Sequence, residues 1–574
     1  MRFLMTRSRQ ILPSLLALAL TCACVPRLLA QVVIAPTYPV VGSNNTVSAD
    51  PTVPRPHTRS CTVSLFENME FDNFNTMDYT YTPPSSCPGP WTKVVFTADF
   101  TVTAGTQFDR TGAFYLGGAN IFYGTTAEPG TTLSPSWHVE RDVTDLSSLF
   151  STTQAGTAIL GNFVGVYNGT DYNGIIYANA HLIFYESGPW APAPRTPDAV
   201  IGIPGNSGAA TLSTPTSVYT QALTLPTNVT AAYLDVIAQS QINDEFWYVC
   251  VPNALANELE SCGDTGFRET EITIDGIPAG VAPVYPWIYT GGIDPFLWAP
   301  IPGVQTLNFK PFRVDLTPFA GLLSNGQTHT VGIQVYNADS YFLTAANLLL
   351  STDPILKQVS GAVTSNTLAA EPSPVIEDNI VTDSSGNISG TVVINSSHPY
   401  AIEGYVTTSH GRVDTKVERS VDFSQTQTYN IPISGAQYLQ QIQQLTQVHG
   451  ENTTSESGLA TGTKIDFTYP FNLSYDFVVN SDGSSYATTQ SDQKYLEQET
   501  PFLGPFAFGG SQASNEVSSV DTLDFDSSGN FTGNSDSSSW QDYVSRDANG
   551  YCYSRKLTSA ASILTAVIDG ADCR

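Results

Sequence analysis

From Lys93 to Val102 the chain alternates, with Val94, Phe96, Ala98, Phe100 and Val102 on one side and Lys93, Val95, Thr97, Asp99 and Thr101 on the other. A repeat of two sends successive side chains to opposite faces, so this stretch predicts a β-strand. Residues 175–185 predict another, apolar on both sides and therefore covered on both faces. Further strands are predicted at 231–238, at 267–275 with the turn signal Asp275-Gly276, around Val331, Ile333 and Val335, and at 348–350. The strictest alternation is Ile465, Phe467, Tyr469, Phe471, Leu473, Tyr475, Phe477 and Val479, with Pro470 on the opposite face predicting an edge or a bend. Helical spacing is nearly absent; Leu439, Ile442 and Leu445 predict the one amphipathic helix.

Strands this short and this closely spaced predict an all-β protein built from antiparallel jelly-roll sandwiches. The first sandwich is expected over residues 59–187. The stiff segment Gly188-Pro189-Trp190-Ala191-Pro192-Ala193-Pro194 opens a linker over 188–205. A second sandwich is expected over 206–353, and a more polar β-rich domain over 354–574. Residues 31–58, rich in Pro, Ser and Asn, read as a mobile leader. Arg2, Arg7 and Arg9 followed by the apolar run 11–20 read as a secretory signal cleaved after Ala30, which implies a secreted or periplasmic protein.

Composition narrows the function classes. The chain has 574 residues, 44 Gly, 37 Pro and a formal net charge of -29, which disfavours nucleic acid and anionic membrane as partners because both require a basic face. No later stretch is apolar enough to span a membrane. An acidic working pH is expected from the scarcity of Lys and Arg, and a monomer is favoured. After signal removal the cysteines are Cys61, Cys87, Cys250, Cys262, Cys552 and Cys573. Their spacing favours three local bridges, Cys61–Cys87, Cys250–Cys262 and Cys552–Cys573, in an oxidising compartment.

The chemistry that remains is acid–base. The histidines are scattered, and no zinc-protease, Walker, dinucleotide or nucleophile-elbow motif is present, so no metal or organic cofactor is expected. Only 13% of residues are charged, which makes local concentrations of carboxylates conspicuous. One runs from Asp109-Arg110 through Glu128 to Trp137 and Glu140. Others are Glu67, Glu70 and Asp72, Asp244-Glu245 beside Phe246-Trp247-Tyr248, and Arg268-Glu269. Carboxylates beside aromatics suit a sugar, which offers hydroxyls to the former and C–H faces to the latter.

The segments FDRTGAFYLGG, TAEPG, WHVERDVTDLSSLF, NDEFWY, FRETEITIDG, YTGGIDPFLWAPI and VDLTPFAGLLSNGQTHTVGIQVYNA cover most of residues 90–350. In that order they resemble the peptide-N-glycosidase A family of glycoamidases. A weaker likeness extends to the flavobacterial peptide-N-glycosidase F type, where a Trp-Asp-Arg motif corresponds to Phe108-Asp109-Arg110. The resemblance implies two side-by-side jelly rolls with the active site between them and Asp109 as principal catalytic carboxylate. It implies hydrolysis of the side-chain amide joining Asn to the first N-acetylglucosamine of an N-glycan on a peptide or protein. The alternatives are a glycan-binding jelly-roll lectin without activity and a secreted glycoside hydrolase.

An amide needs a positioned water, a base, stabilisation of the oxyanion and a proton for the leaving amine. Asp109 is assigned to the water and Arg110 to that carboxylate or the oxyanion, provided that the backbone bends so that both face the cleft. The second carboxylate is expected from the other sandwich, with Glu245 preferred and Glu269 as runner-up. Trp247, Asp244, Trp137, Glu128 and Arg268 complete the expected substrate contacts.

Overall fold

In the computed structural model, which describes residues 38–205 and 208–573, the alternating stretch forms the strand Trp91–Val102. It lies between Ile176–Glu186 and Ser136–Asp142, with Ser60–Phe71 beyond Ile176–Glu186. A second four-stranded antiparallel sheet, in the order Met77–Tyr81, Gln154–Leu160, Thr111–Leu116, Ala119–Thr125, packs on it. Phe96 and Phe100 from the first sheet meet Phe114 and Phe122 from the other, and these rings anchor one continuous core. The expected signal segment lies outside the described residues.

The next sandwich repeats the plan. Ala199–Ile203, Phe342–Thr352, Val229–Ser240 and Phe312–Asp315 form one sheet in that order, joined by Ala210–Leu212 on Phe342–Thr352. Val218–Thr224, Thr328–Val335, Glu269–Ile274 and Ile277–Pro283 form the other. The strand Ala199–Ile203 thus occupies what reads in sequence as linker. Between the two sandwiches, the edge strand Ala119–Thr125 meets a loop of the second unit. Thr125 N donates to Thr306 O at 2.9 Å and Phe309 N to Tyr123 O at 2.8 Å. A Cβ on Gly124 would stand 2.3 Å from Leu307 O, so only glycine permits this approach.

From Ser360 to Asp569 the chain forms one 13-stranded antiparallel sheet, five of whose strands run 19 to 21 residues. At about 3.4 Å per residue the longest extend for roughly 70 Å. In Ile388–Thr408 one face is buried and the other half-exposed or exposed, so the sheet lays one side against the second sandwich. The helix expected around Leu439, Ile442 and Leu445 is instead the strand Gln437–Glu456. Its buried row is Gln440, Ile442, Gln444, Thr446 and Val448. Polar residues on the inward face had hidden the repeat of two. Pro470 sits inside the strand Leu459–Val479 rather than at an edge. The ladder to Ser485–Leu503 lapses at Tyr469 and Pro470 and resumes at Phe471, which spares the missing N–H.

The described part of the leader is pinned, contrary to expectation. Ala49 N donates to Gln541 Oε1 at 2.6 Å, Val53 N donates to Glu140 Oε2 at 2.6 Å, and Arg55 forks onto both oxygens of Glu140. Bridges Cys250–Cys262 and Cys552–Cys573 are formed. The expected Cys61–Cys87 bridge is not. Both remain free thiols, and Cys87 Sγ donates to Phe184 O at 3.7 Å. No described helix is long and apolar enough to cross a membrane.

Candidate active site

The strands Thr111–Leu116 and Ala119–Thr125 form a hairpin in which Thr111 pairs with Thr125. Two bonds extend the pairing by one residue: Arg110 N to Thr126 Oγ1 at 2.8 Å and Thr126 N to Arg110 O at 2.8 Å. The open end of the hairpin therefore carries Asp109 on one arm and Glu128 on the other. Residues 107–110 lie outside the strands, and Arg110 feels the charges of both Asp109 and Glu128. Arg110 Nη2 donates to Gln107 Oε1 at 2.7 Å, and its guanidinium lies 5.3 Å from the Phe108 ring centroid.

The second sandwich brings a loop to the same place. Thr290 Oγ1 donates to Thr126 O at 2.8 Å, and Gly291 N donates to Asp109 Oδ2 at 3.1 Å. Gly291 is wedged between carboxylates: a Cβ there would stand 2.2 Å from Glu128 Oε2 and 3.3 Å from Asp109 Oδ1. Glu245 arrives on the turn after Val229–Ser240, where Ile242 holds φ at 51° and Glu245 N donates to Ile242 O. Three half-buried carboxylates from two sandwiches, Asp109, Glu128 and Glu245, thus share one electrostatic environment.

Burial sets their protonation. It pushes Glu128 up to about 7, helped by the charge of Asp109 and opposed by Arg110. It also pushes Glu245 up to about 7, again with Asp109 adding. Asp109 is raised by burial too, but Gly291 N–H and the Arg110 guanidinium favour its charged form. Arg110 is lowered by burial and supported by Asp109, Tyr172 and Glu128, and its buried Nε has no protein partner. Beneath the site Tyr123 Oη donates to Gln239 Oε1 at 3.0 Å. Gln239 Nε2 donates to Tyr289 Oη, which in turn donates to Ser240 O. The buried hydroxyl of Tyr248 feels Glu245 and has no partner.

Other expected site residues lie elsewhere. Trp247 is 1% exposed and Trp137 3%, the latter stacked 5.0 Å from Phe100, so both are core and neither can stack on a sugar. Asp244 is buried against Arg268 Nη2 at 3.0 Å and accepts Asp339 N at 2.7 Å and Ser340 N at 2.8 Å. Arg268 also donates to the carbonyls of Asp264, Thr265 and Phe267, which makes the pair a structural knot. Glu269 faces away from the cleft and bonds His398 Nδ1 of the 13-stranded sheet at 2.7 Å. The sequence reading missed Gly291 and Tyr289 and named Tyr248 only as an aromatic beside Glu245; the pair Gly291-Gly292 was the available signal for the first. Among the described residues, no group of three or more His, Cys, Asp and Glu is arranged to hold a metal ion.

A family model described as peptide N-acetyl-beta-D-glucosaminyl asparaginase amidase A matches residues 51–368. The chain is 27% identical over 442 residues to peptide-N4-(N-acetyl-beta-glucosaminyl)asparagine amidase A of Prunus dulcis, across 73% of this chain and 75% of that protein. Among solved structures it is similar to PNGase F, a glycosylasparaginase from Flavobacterium meningosepticum, at 13% identity and a TM-score of 0.34, over 51% of this chain and 96% of that one. It is also similar to PNGF-II at 14% identity and a TM-score of 0.36, over 51% of this chain and 65% of that one.

Proposed function

Because this chain belongs to the peptide N-acetyl-beta-D-glucosaminyl asparaginase amidase A family, we propose that it hydrolyses the side-chain amide joining Asn to the first N-acetylglucosamine of N-linked glycans on peptides and proteins. The observation that carries this reading is the meeting of Asp109 and Glu128 at Gly291, with Glu245 within reach of the charge of Asp109 and Arg110 beside them.

Asp109, whose charged form Gly291 N–H and Arg110 favour against the effect of burial, accepts a proton from water as its oxygen attacks the amide carbon. Arg110, with Nε unpartnered, stabilises the negative charge that develops on the amide oxygen. Glu245 is neutral below about pH 7 and donates its proton to the nitrogen as the C–N bond breaks. Glu128, also neutral there, spares the cluster a second negative charge beside Asp109. Asp remains on the peptide, and the glycan departs as the glycosylamine. Glycopeptides and glycoproteins are the substrates, the enzyme works at acidic pH outside the cytoplasm, and it acts as a monomer.

Incubation with an N-glycopeptide tests the reading by mass spectrometry. Intact glycan and a peptide carrying Asp in place of Asn are expected from the wild type, with little or no release by Asp109→Asn. A peptide retaining Asn with one N-acetylglucosamine would point to a glycoside hydrolase, and binding without any product to a lectin.

A further inference from the structure

The loop that delivers Gly291 to Asp109 continues through Gly292 and Ile293 to Asp294. Asp294 N donates to Gly292 O at 2.7 Å, and Trp298 Nε1 donates to the same carbonyl at 2.9 Å. The Asp294 side chain caps the short turn Pro295–Trp298, where Oδ1 accepts Phe296 N at 2.9 Å. Its other oxygen, Oδ2, is buried and receives no N–H or O–H from any other described group.

Asp521 supplies the counterpart from the strand Ser511–Phe525 of the 13-stranded sheet. Its Oδ1 accepts Asn534 Nδ2 at 2.7 Å, while its Oδ2 is likewise buried with no donor. Asp294 is 1% exposed and Asp521 0%. The turn Pro295–Trp298 packs on this sheet, with Phe296 stacked 5.8 Å from Phe531, and the two carboxyls feel each other's charge. Two buried carboxylates are acceptors only and repel, so with each Oδ2 lacking a donor their approach is favourable only if one of them carries a proton.

We propose that Asp294 and Asp521 form a proton-locked latch through which the C-terminal sheet holds the Gly291 loop against Asp109. With one proton shared, the sheet grips the loop two residues from Gly292. With both groups ionised, two buried like charges repel and the grip is lost. The groups facing the pair are Asn534 and Ser537 as donors, the backbone N–H groups of Phe296 and Leu297, and the acids Asp524 and Tyr475; none of them is cationic. Burial and mutual repulsion hold the shared proton well above the ordinary carboxylate range. Asp294 and Asp521 are positioning residues, and they rest on the catalytic reading of Asp109 only for their consequence in hydrolysis.

Hydrogen exchange of residues 289–298 in the full-length protein, corrected for the intrinsic base-catalysed rate, tests the latch without reference to activity. In the wild type, protection is expected to fall at least about tenfold between about pH 5.5 and about pH 8.5. In Asp521→Asn the amide offers Asp294 a permanent donor, and protection is expected to stay within about twofold over the same range. Wild-type protection that stays level overturns the proposal. So does an Asp521→Asn variant that loses protection as the wild type does. Should that variant not fold, the wild-type profile decides alone. Absence of glycan release would bear only on the catalytic reading.

Discussion

The backbone N–H of Gly291 donates to Asp109 Oδ2 at 3.1 Å across the junction of the two sandwiches. Asp109 belongs to the hairpin end of the first sandwich and Gly291 to a loop of the second, so the carboxylate is positioned only when the two are docked. The docking itself rests on the Thr125–Thr306 and Tyr123–Phe309 backbone pairs beside Gly124.

Gly291→Ala tests that arrangement directly. The added methyl would stand 2.2 Å from Glu128 Oε2, so the carboxylates must separate. A displacement near 1 Å at reacting groups costs on the order of 100-fold, and kcat/KM for glycopeptide release is expected to fall by about that factor. The loop backbone is not in the left-handed region here. The melting temperature should therefore stay close to wild type, and a large drop in it would assign the loss to misfolding instead.

The two assigned acid–base groups have distinct pH signatures. The rate should decline above about 7 as Glu245 loses the proton it must donate, and at low pH as Asp109 becomes protonated. Glu245→Gln is expected to lower kcat by about 100- to 10,000-fold and to flatten the decline near neutrality, whereas Asp109→Asn flattens the acid limb. Full pH–rate profiles of the three proteins separate these outcomes. An unchanged alkaline limb in Glu245→Gln would remove Glu245 from the role.

Trp137 and Trp247 fill cores rather than contact substrate. Phe in either place should lower stability by about 1 to 3 kcal/mol through lost packing while KM stays near wild type. Thermal denaturation and Michaelis kinetics distinguish the two roles. A raised KM without loss of stability would return the residue to the binding site.

Glu271 is buried, its Oε1 has no partner, and burial together with Glu269 and Glu371 pushes it up to about 8. A carboxyl raised on folding contributes stability that is fully present below its unfolded value of 4.5 and is lost as pH rises through about 8. Glu271→Gln should therefore raise the melting temperature at pH 8 relative to wild type and have little effect at pH 5. Denaturation scans at the two pH values check the sign, and a variant less stable than wild type at pH 8 would contradict it.

The sequence by itself determined the strands whose inward face is apolar and one half of the site, while the polar inward row of Gln437–Glu456 hid that strand. Alternation at 93–102 and 465–479 reports strands because a repeat of two has only one compatible backbone. Asp109-Arg110 stood out as charge in a charge-poor chain and as a family motif. Glu128 could be paired with Asp109 only through the register of Thr111 with Thr125, which folds residues nineteen apart onto one hairpin end. Tertiary structure decided the other half. Asp244 and Glu245 are adjacent, yet the turn at Ile242 buries one against Arg268 and presents the other to Asp109. Glu269, equally plausible in one dimension, points to His398. The donor that holds Asp109 is a backbone N–H, a group every residue but proline possesses. The pair Gly291-Gly292 marks a loop in the sequence, but only the meeting of the two sandwiches gives Gly291 its role at Asp109.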